Sequence, residues 1–190
     1  MNRSTTLPAV EAAVRIPGTW ESPVELRERL PDGYQLSTDG LQRPDGSRCE
    51  IFLLPPDPMF PDIFARSCTI PPRKAELRKV KQYQVNFCLA APVGDRRRVL
   101  ELIEVISAVI QAGGAGVFID NSGVACGASA WLEFAQSDGG ESAPVEALCN
   151  VIRSERGLFS VGMHLFGSRD VVLRTSGNEA ADARRVGRLL

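Results

Sequence analysis

The run from Tyr83 to Ile119 limits what this chain can fold into more than any other part of it. Residues 83–91 are apolar enough, and over a short enough length, to form a buried strand. Asp95 then supplies a carboxylate acceptor for the free amides of a helix start. Beyond it Leu102, Ile103, Ile106, Val109 and Ile110 recur at helical spacing, and Leu100, Val105 and Ala108 widen the apolar stripe. Gly113 and Gly114 end the helix, and the apolar residues 115–119 form a second strand. Strand, helix and strand in this order make a β-α-β unit, with a right-handed crossover if both strands run parallel in one sheet.

The flanking segments predict further short strands and helices. The fold expected is α+β: a mixed or antiparallel sheet with helices mainly on one face. Residues 1–48 read as a Pro/Gly-punctuated N-terminal extension packing on the body, and residues 49–190 as a single α+β domain. In the extension, Ser22-Pro23 starts a short helix to about Leu30, and Pro44-Asp45-Gly46 is a turn leading into a strand over residues 49–54. Later segments predict helices over residues 60–65, 128–135, 144–152 and 178–189. Residues 158–166 read as a strand that places Phe159, Val161, Met163 and Leu165 on one side and His164 on the other. Trp20 and Trp131 read as packing anchors.

Charge removes some classes of partner. With 22 basic and 23 acidic residues the chain has no global field for nucleic acid or an anionic membrane. Its densest basic cluster, Arg73, Lys74, Arg78, Lys79 and Lys81 with Glu76 among them, lacks interleaved aromatics and reads as a solvated face. No apolar run is long enough for a membrane span, and the first residues lack a secretion-type apolar core, so a cytoplasmic location is expected. The five cysteines, at 49, 68, 88, 126 and 149, form no CxxC pair and are expected to be reduced thiols.

Several residues could carry chemistry. Asp120, Asn121 and Ser122 follow a strand, where polar groups commonly approach ligands, although the same residues also simply make turns. Cys126 lies just beyond them, and His164 is the only histidine. A pocket gathering Asp120, Asn121, Ser122, Cys126 and His164 would offer a thiol or hydroxyl nucleophile, an imidazole base and a carboxylate orienter, with Asp170 as a second candidate orienter. Against this, a buried thiol and a hydrogen-bonded structural histidine account for the same residues. The glycines at 113, 114 and 116 do not form a phosphate loop, because they close a helix and precede a strand. No spacing supports a metal site, and no cofactor is expected.

The residues Ala112-Gly113-Gly114-Ala115-Gly116-Val117-Phe118-Ile119-Asp120-Asn121-Ser122-Gly123, followed by Trp131 and later by Gly162-Met163-His164-Leu165-Phe166-Gly167, resemble the signature region of DUF4261-type bacterial proteins over roughly residues 80–175. The resemblance implies a compact α+β domain and supplies no catalytic set. Taken together, these readings favour a non-enzymatic domain that binds a protein or peptide partner, with homodimerisation left open. The alternative is a small hydrolase or transferase built on Asp120, Cys126 and His164.

Overall fold

The computed structural model describes residues 10–137, 143–155 and 157–174. In chain order the elements are β1 (Val10–Gly18), α1 (Pro23–Arg29), β2 (Gln35–Ser37), β3 (Gly40–Gln42), β4 (Arg48–Leu54), α2 (Phe60–Ser67), α3 (Lys74–Lys81), β5 (Val85–Val93), α4 (Arg96–Gln111), β6 (Gly116–Ile119), β7 (Val124–Gly127), α5 (Ala128–Gln136), α6 (Ala143–Leu148), β8 (Asn150–Ser154), β9 (Gly157–Val161), a 3-10 turn at Met163–Phe166, and β10 (Val172–Leu173). Seven strands form an antiparallel sheet in the order β2-β3-β4-β5-β1-β6-β7, and a smaller sheet has the order β10-β9-β8. The fold is α+β. It contains the expected β-α-β unit in β5, α4 and β6.

That unit is built around a guest. Both β5 and β6 pair antiparallel with β1, so they run parallel to each other with β1 lying between them. The N-terminal segment, read from sequence as an extension, thus supplies a central strand. β1 alternates Ala12, Val14 and Ile16, all buried, with Glu11, Ala13 and Arg15, which are more exposed. Its inner face packs on α4 with Phe87, Leu89, Val117 and Ile119 in the main core. The helix begins as expected, with Asp95 accepting from the Arg98 amide at 2.9 Å. At its other end the Trp20 indole donates to the Ala112 carbonyl at 2.8 Å, satisfying one of the carbonyls a helix terminus leaves open.

The Gly113-Gly114 pair has a structural purpose. Gly113 has φ of +118°, which a side chain would disfavour. A Cβ on Gly114 would come within 2.6 Å of Ile16 Cγ2 and 3.2 Å of the Ile110 backbone, so only glycine lets the α4 terminus settle against β1.

Helices lie chiefly on one face. Leu26 of α1, Trp131 of α5 and Leu148 of α6 join the α4 core, while α2 and α3 cover only one end of the opposite face, through Phe60, Phe64 and Val80 packed on Ala115, Phe118 and Ala125. The basic segment is helix α3, and its one acid is not a solvated counterion. Glu76 is only 8% exposed; it accepts from the Arg73 amide at 2.7 Å and from the Ser129 amide at 2.6 Å, tying together the N-termini of α3 and α5.

The C-terminal third departs from the sequence expectation at three places. The helix expected over 144–152 ends at Leu148, and residues 150–154 form strand β8 paired with β9. The strand expected over 158–166 ends at Val161, because Gly162 adopts φ of +114° and turns the chain into the 3-10 segment that carries His164. Residues 124–127, not assigned from sequence, form β7 against β6. The helix expected over 178–189 falls outside the described residues.

Candidate functional site

The structure brings Asn121 and His164 together and places Cys126 toward the other end of the β6–β7 hairpin. Asp120 leaves the end of β6 and forms a two-point ion pair with Arg15, Arg15 Nε to Oδ2 at 2.9 Å and Nη2 to Oδ1 at 2.8 Å. The Asp120 hydrogen bond is the main reason the Arg15 pKa is raised. Arg15 also sits over the Phe60 ring at 6.0 Å. These contacts hold β1 to β6 and α2, and they leave Asp120 committed to a fixed cation.

Asn121 continues the β1–β6 ladder with its side chain. The Ala13 amide donates to Asn121 Oδ1 at 2.8 Å, and Asn121 Nδ2 donates to the Glu11 carbonyl at 3.0 Å, just beyond the last backbone pair, Val14 with Ile119. The same Nδ2 lies 3.3 Å from His164 Nε2. Asn121 and His164 are therefore the two members of the sequence-derived set brought into contact. Nδ2 already gives one hydrogen to the Glu11 carbonyl, so the contact with the histidine ring uses what the sheet ladder leaves over. Ser122 is buried and its hydroxyl has no protein partner, while its carbonyl receives Asn150 Nδ2 at 3.5 Å.

Cys126 sits on β7 opposite Val117, at the far end of the β6–β7 hairpin from the 120–123 turn. Burial pushes its thiol up to about 11, and the charge of Glu76 adds to the shift. A thiol nucleophile needs the opposite shift. Asp170 is engaged locally: its Oδ1 accepts from the Met163 amide at 3.0 Å and from the Ser160 hydroxyl at 3.2 Å, holding the bend between β9 and the 3-10 turn. All five cysteines are free thiols, and among the described residues no group of three or more histidine, cysteine or acidic side chains could hold a metal ion. Among the same residues no helix is long and apolar enough to cross a membrane.

A different region has the form of a binding site, and sequence reasoning did not single it out. β3 pairs with β4 only at Cys49 and Arg48, whereas β5 pairs with β4 from Glu50 through Leu54. Glu50 to Leu54 are thus hydrogen-bonded on one side and open on the other. Phe52, Leu53 and Leu54 are 52%, 43% and 43% exposed, which is unusual for a strand with four consecutive apolar residues. Alternation sends Ile51 and Leu53 toward α1, and Phe52 and Leu54 toward the face that carries no helix at this end.

Two concavities meet at this edge. One, of about 410 Å³, is walled by Pro23, Val24, Arg27, Leu36, Ile51 and Leu53. The other, of about 850 Å³, shares Pro23 and Leu53 and extends past Trp20, Leu26, Gln82 and Gln84. α1 forms their common wall. It is positioned by its own cap, Ser22 Oγ accepting from the Glu25 amide at 3.3 Å, and by burial of Leu26. Arg27 projects from this helix and forms no ion pair or hydrogen bond among the described residues. The apolar run at 51–54 was the available sequence signal, but its exposure depends on β3 stopping short, and that is a property of the fold.

No family profile, curated protein or solved structure matches this chain.

Proposed function

We propose that this protein is a non-enzymatic binding domain that captures an extended segment of a protein or peptide partner by adding it as a strand beside Glu50–Leu54. The observation that carries the reading is the one-sided pairing of this stretch, with exposed apolar side chains along it and a groove under α1 beside it. An open edge offers unpaired backbone donors and acceptors, and a flanking groove receives alternate side chains of the added strand. The alternative, a hydrolase or transferase around Asp120, Cys126 and His164, draws no support from the ion-paired carboxylate and the raised thiol pKa.

The test is selection of peptide ligands from a displayed library, followed by amide hydrogen exchange of the complex. Bound peptides should slow exchange in residues 51–54. Leu53→Lys, which changes a half-exposed side chain, should weaken binding at least tenfold while leaving the thermal midpoint nearly unchanged. Ligands that bind Leu53→Lys as tightly as the parent and protect another region would refute the proposal.

A further inference from the structure

We infer that the strand accepted at this edge carries an acidic side chain opposite Ile51 and an apolar one two residues away opposite Leu53. The inference rests on the strand-addition reading above and adds the partner's chemical class. Among the described residues every strand-to-strand pairing in the seven-stranded sheet is antiparallel, the one parallel contact being the isolated bridge of Cys68 to Ala125 on the opposite edge, so an added strand is expected to follow the strands and run opposite to β4. In that arrangement the residue facing Ile51 and the residue two positions before it, facing Leu53, both point toward α1. They enter adjoining cavities.

The cavity at Ile51 is walled by Pro23, Val24, Leu36, Ser37 and Thr38, with Arg27 as its one charged group. Arg27 has no carboxylate partner among the described residues, although its helix neighbour Arg29 is ion-paired with Glu25. An incoming carboxylate supplies the missing charge, and a cation opposite Arg27 is repelled. The cavity at Leu53 is larger; Trp20, Leu26 and Val85 give its wall an apolar part beside the polar Thr19, Glu21 and Gln84, and an apolar side chain facing Leu53 packs on the apolar part.

A second copy of this chain fits less well. In antiparallel self-pairing centred on Phe52, Ile51 faces Leu53 of the other copy and Glu50 faces Leu54. Glu50 then lies with Phe52 on the face away from α1, so the self-pair brings no carboxylate to Arg27 and sets Glu50 against the apolar Leu54. The partner is therefore a different chain with an acidic extended motif.

The experiment uses the full chain and three synthetic peptides, acetyl-Ser-Val-Leu-Val-Glu-Val-Ser-amide and its versions with Gln or Lys in place of Glu, with affinity measured by fluorescence anisotropy and contact by hydrogen exchange. The Glu peptide should bind on the order of tenfold more tightly than the Lys peptide at low salt, the difference should shrink as salt is added, and Arg27→Glu should reverse the order. Equal binding of all three, with residues 51–54 protected, would overturn the acidic preference and leave strand addition standing. If none protects residues 51–54, while library-selected peptides do, this motif is wrong; if those also fail, the strand-addition reading fails with it. A concentration-dependent dimer, seen by light scattering and lost in Leu53→Lys, would assign the edge to a second copy and overturn the inference.

Discussion

Replacing Glu76 with Gln tests how this fold holds its second face in place. The two carboxylate oxygens of Glu76 accept separate backbone amides, Arg73 N at 2.7 Å and Ser129 N at 2.6 Å. Glutamine keeps the shape but has one acceptor oxygen, so one amide loses its partner and meets an NH2 group instead. The space is tight, since a Cβ on Gly127 would already come within 2.6 Å of Oε2. Losing a charge-assisted bond and orphaning a buried donor costs about 2–4 kcal/mol. In a protein of this size that is a fall in thermal midpoint of roughly 5–15 °C.

The pH dependence of this effect has a definite sign. Burial raises the Glu76 pKa, but the Ser129 hydroxyl and amide and the Arg73 amide outweigh it, and the net shift is below the ordinary value of 4.5. A depressed carboxylate contributes stability that is fully present above its unfolded pKa and is lost as pH falls through the folded one. The gap between parent and Glu76→Gln, followed by circular dichroism during heating, should therefore be constant from pH 7 to pH 5 and narrow below pH 4.5. Equal midpoints at pH 7, or a gap that persists unchanged well below pH 4, would refute the capping argument.

Three further outcomes follow from the same contacts. Asn121→Ala removes both side-chain bonds to β1 and should destabilise by about 2–3 kcal/mol, with faster exchange of the Ala13 amide as the local readout; unchanged exchange there would contradict the ladder role. Burial raises all five thiol pKa values, with Cys68 and Cys149 pushed up to about 12 and Cys88 and Cys126 to about 11. Iodoacetamide at pH 8 should therefore label the native protein far more slowly than the urea-unfolded chain, whereas rapid stoichiometric labelling of one native cysteine would reveal an activated thiol. His164→Gln should lower the thermal midpoint by a few degrees without changing affinity for peptides that dock at β4, and a lost ligand with an unchanged midpoint would move His164 into the functional site.

The β-α-β unit was legible because its period changes from strand to helix and back, with Asp95 and Gly113-Gly114 at the two boundaries. What lay between its strands was not. The alternation of Ala12, Val14 and Ile16 with Glu11, Ala13 and Arg15 carries a strand signal, yet no local pattern says that this strand belongs between residues 85–93 and 116–119. The same limit applies to β8 and β9, where local helical spacing at 144–152 loses to pairing across the hairpin. At 162–166, Gly162 at positive φ breaks an alternation that otherwise reads as continuous strand. Among the candidate residues, Asn121 and His164 meet, but only through an amide whose other bonds build the sheet. Polar side chains after a strand marked a real junction, and the chemistry at that junction is ladder extension.

The insertion of β1 also determines where the sheet can accept a partner. With β1 between β5 and β6, the long strands β1 and β5 pair along their whole lengths, from Val10 with Val93 to Gly18 with Val85. β4 then pairs with the first half of β5, leaving Leu53 and Leu54 beyond the reach of the three-residue β3. Pro55, Pro56 and Pro58 follow at once, and proline cannot donate to a ladder, so the open stretch is held to the few residues before them. Natural edges are usually blunted by charge or by cover. Here a short apolar edge is bounded by prolines on one side and a short hairpin on the other, a length that suits a docked segment of four or five residues and limits runaway pairing.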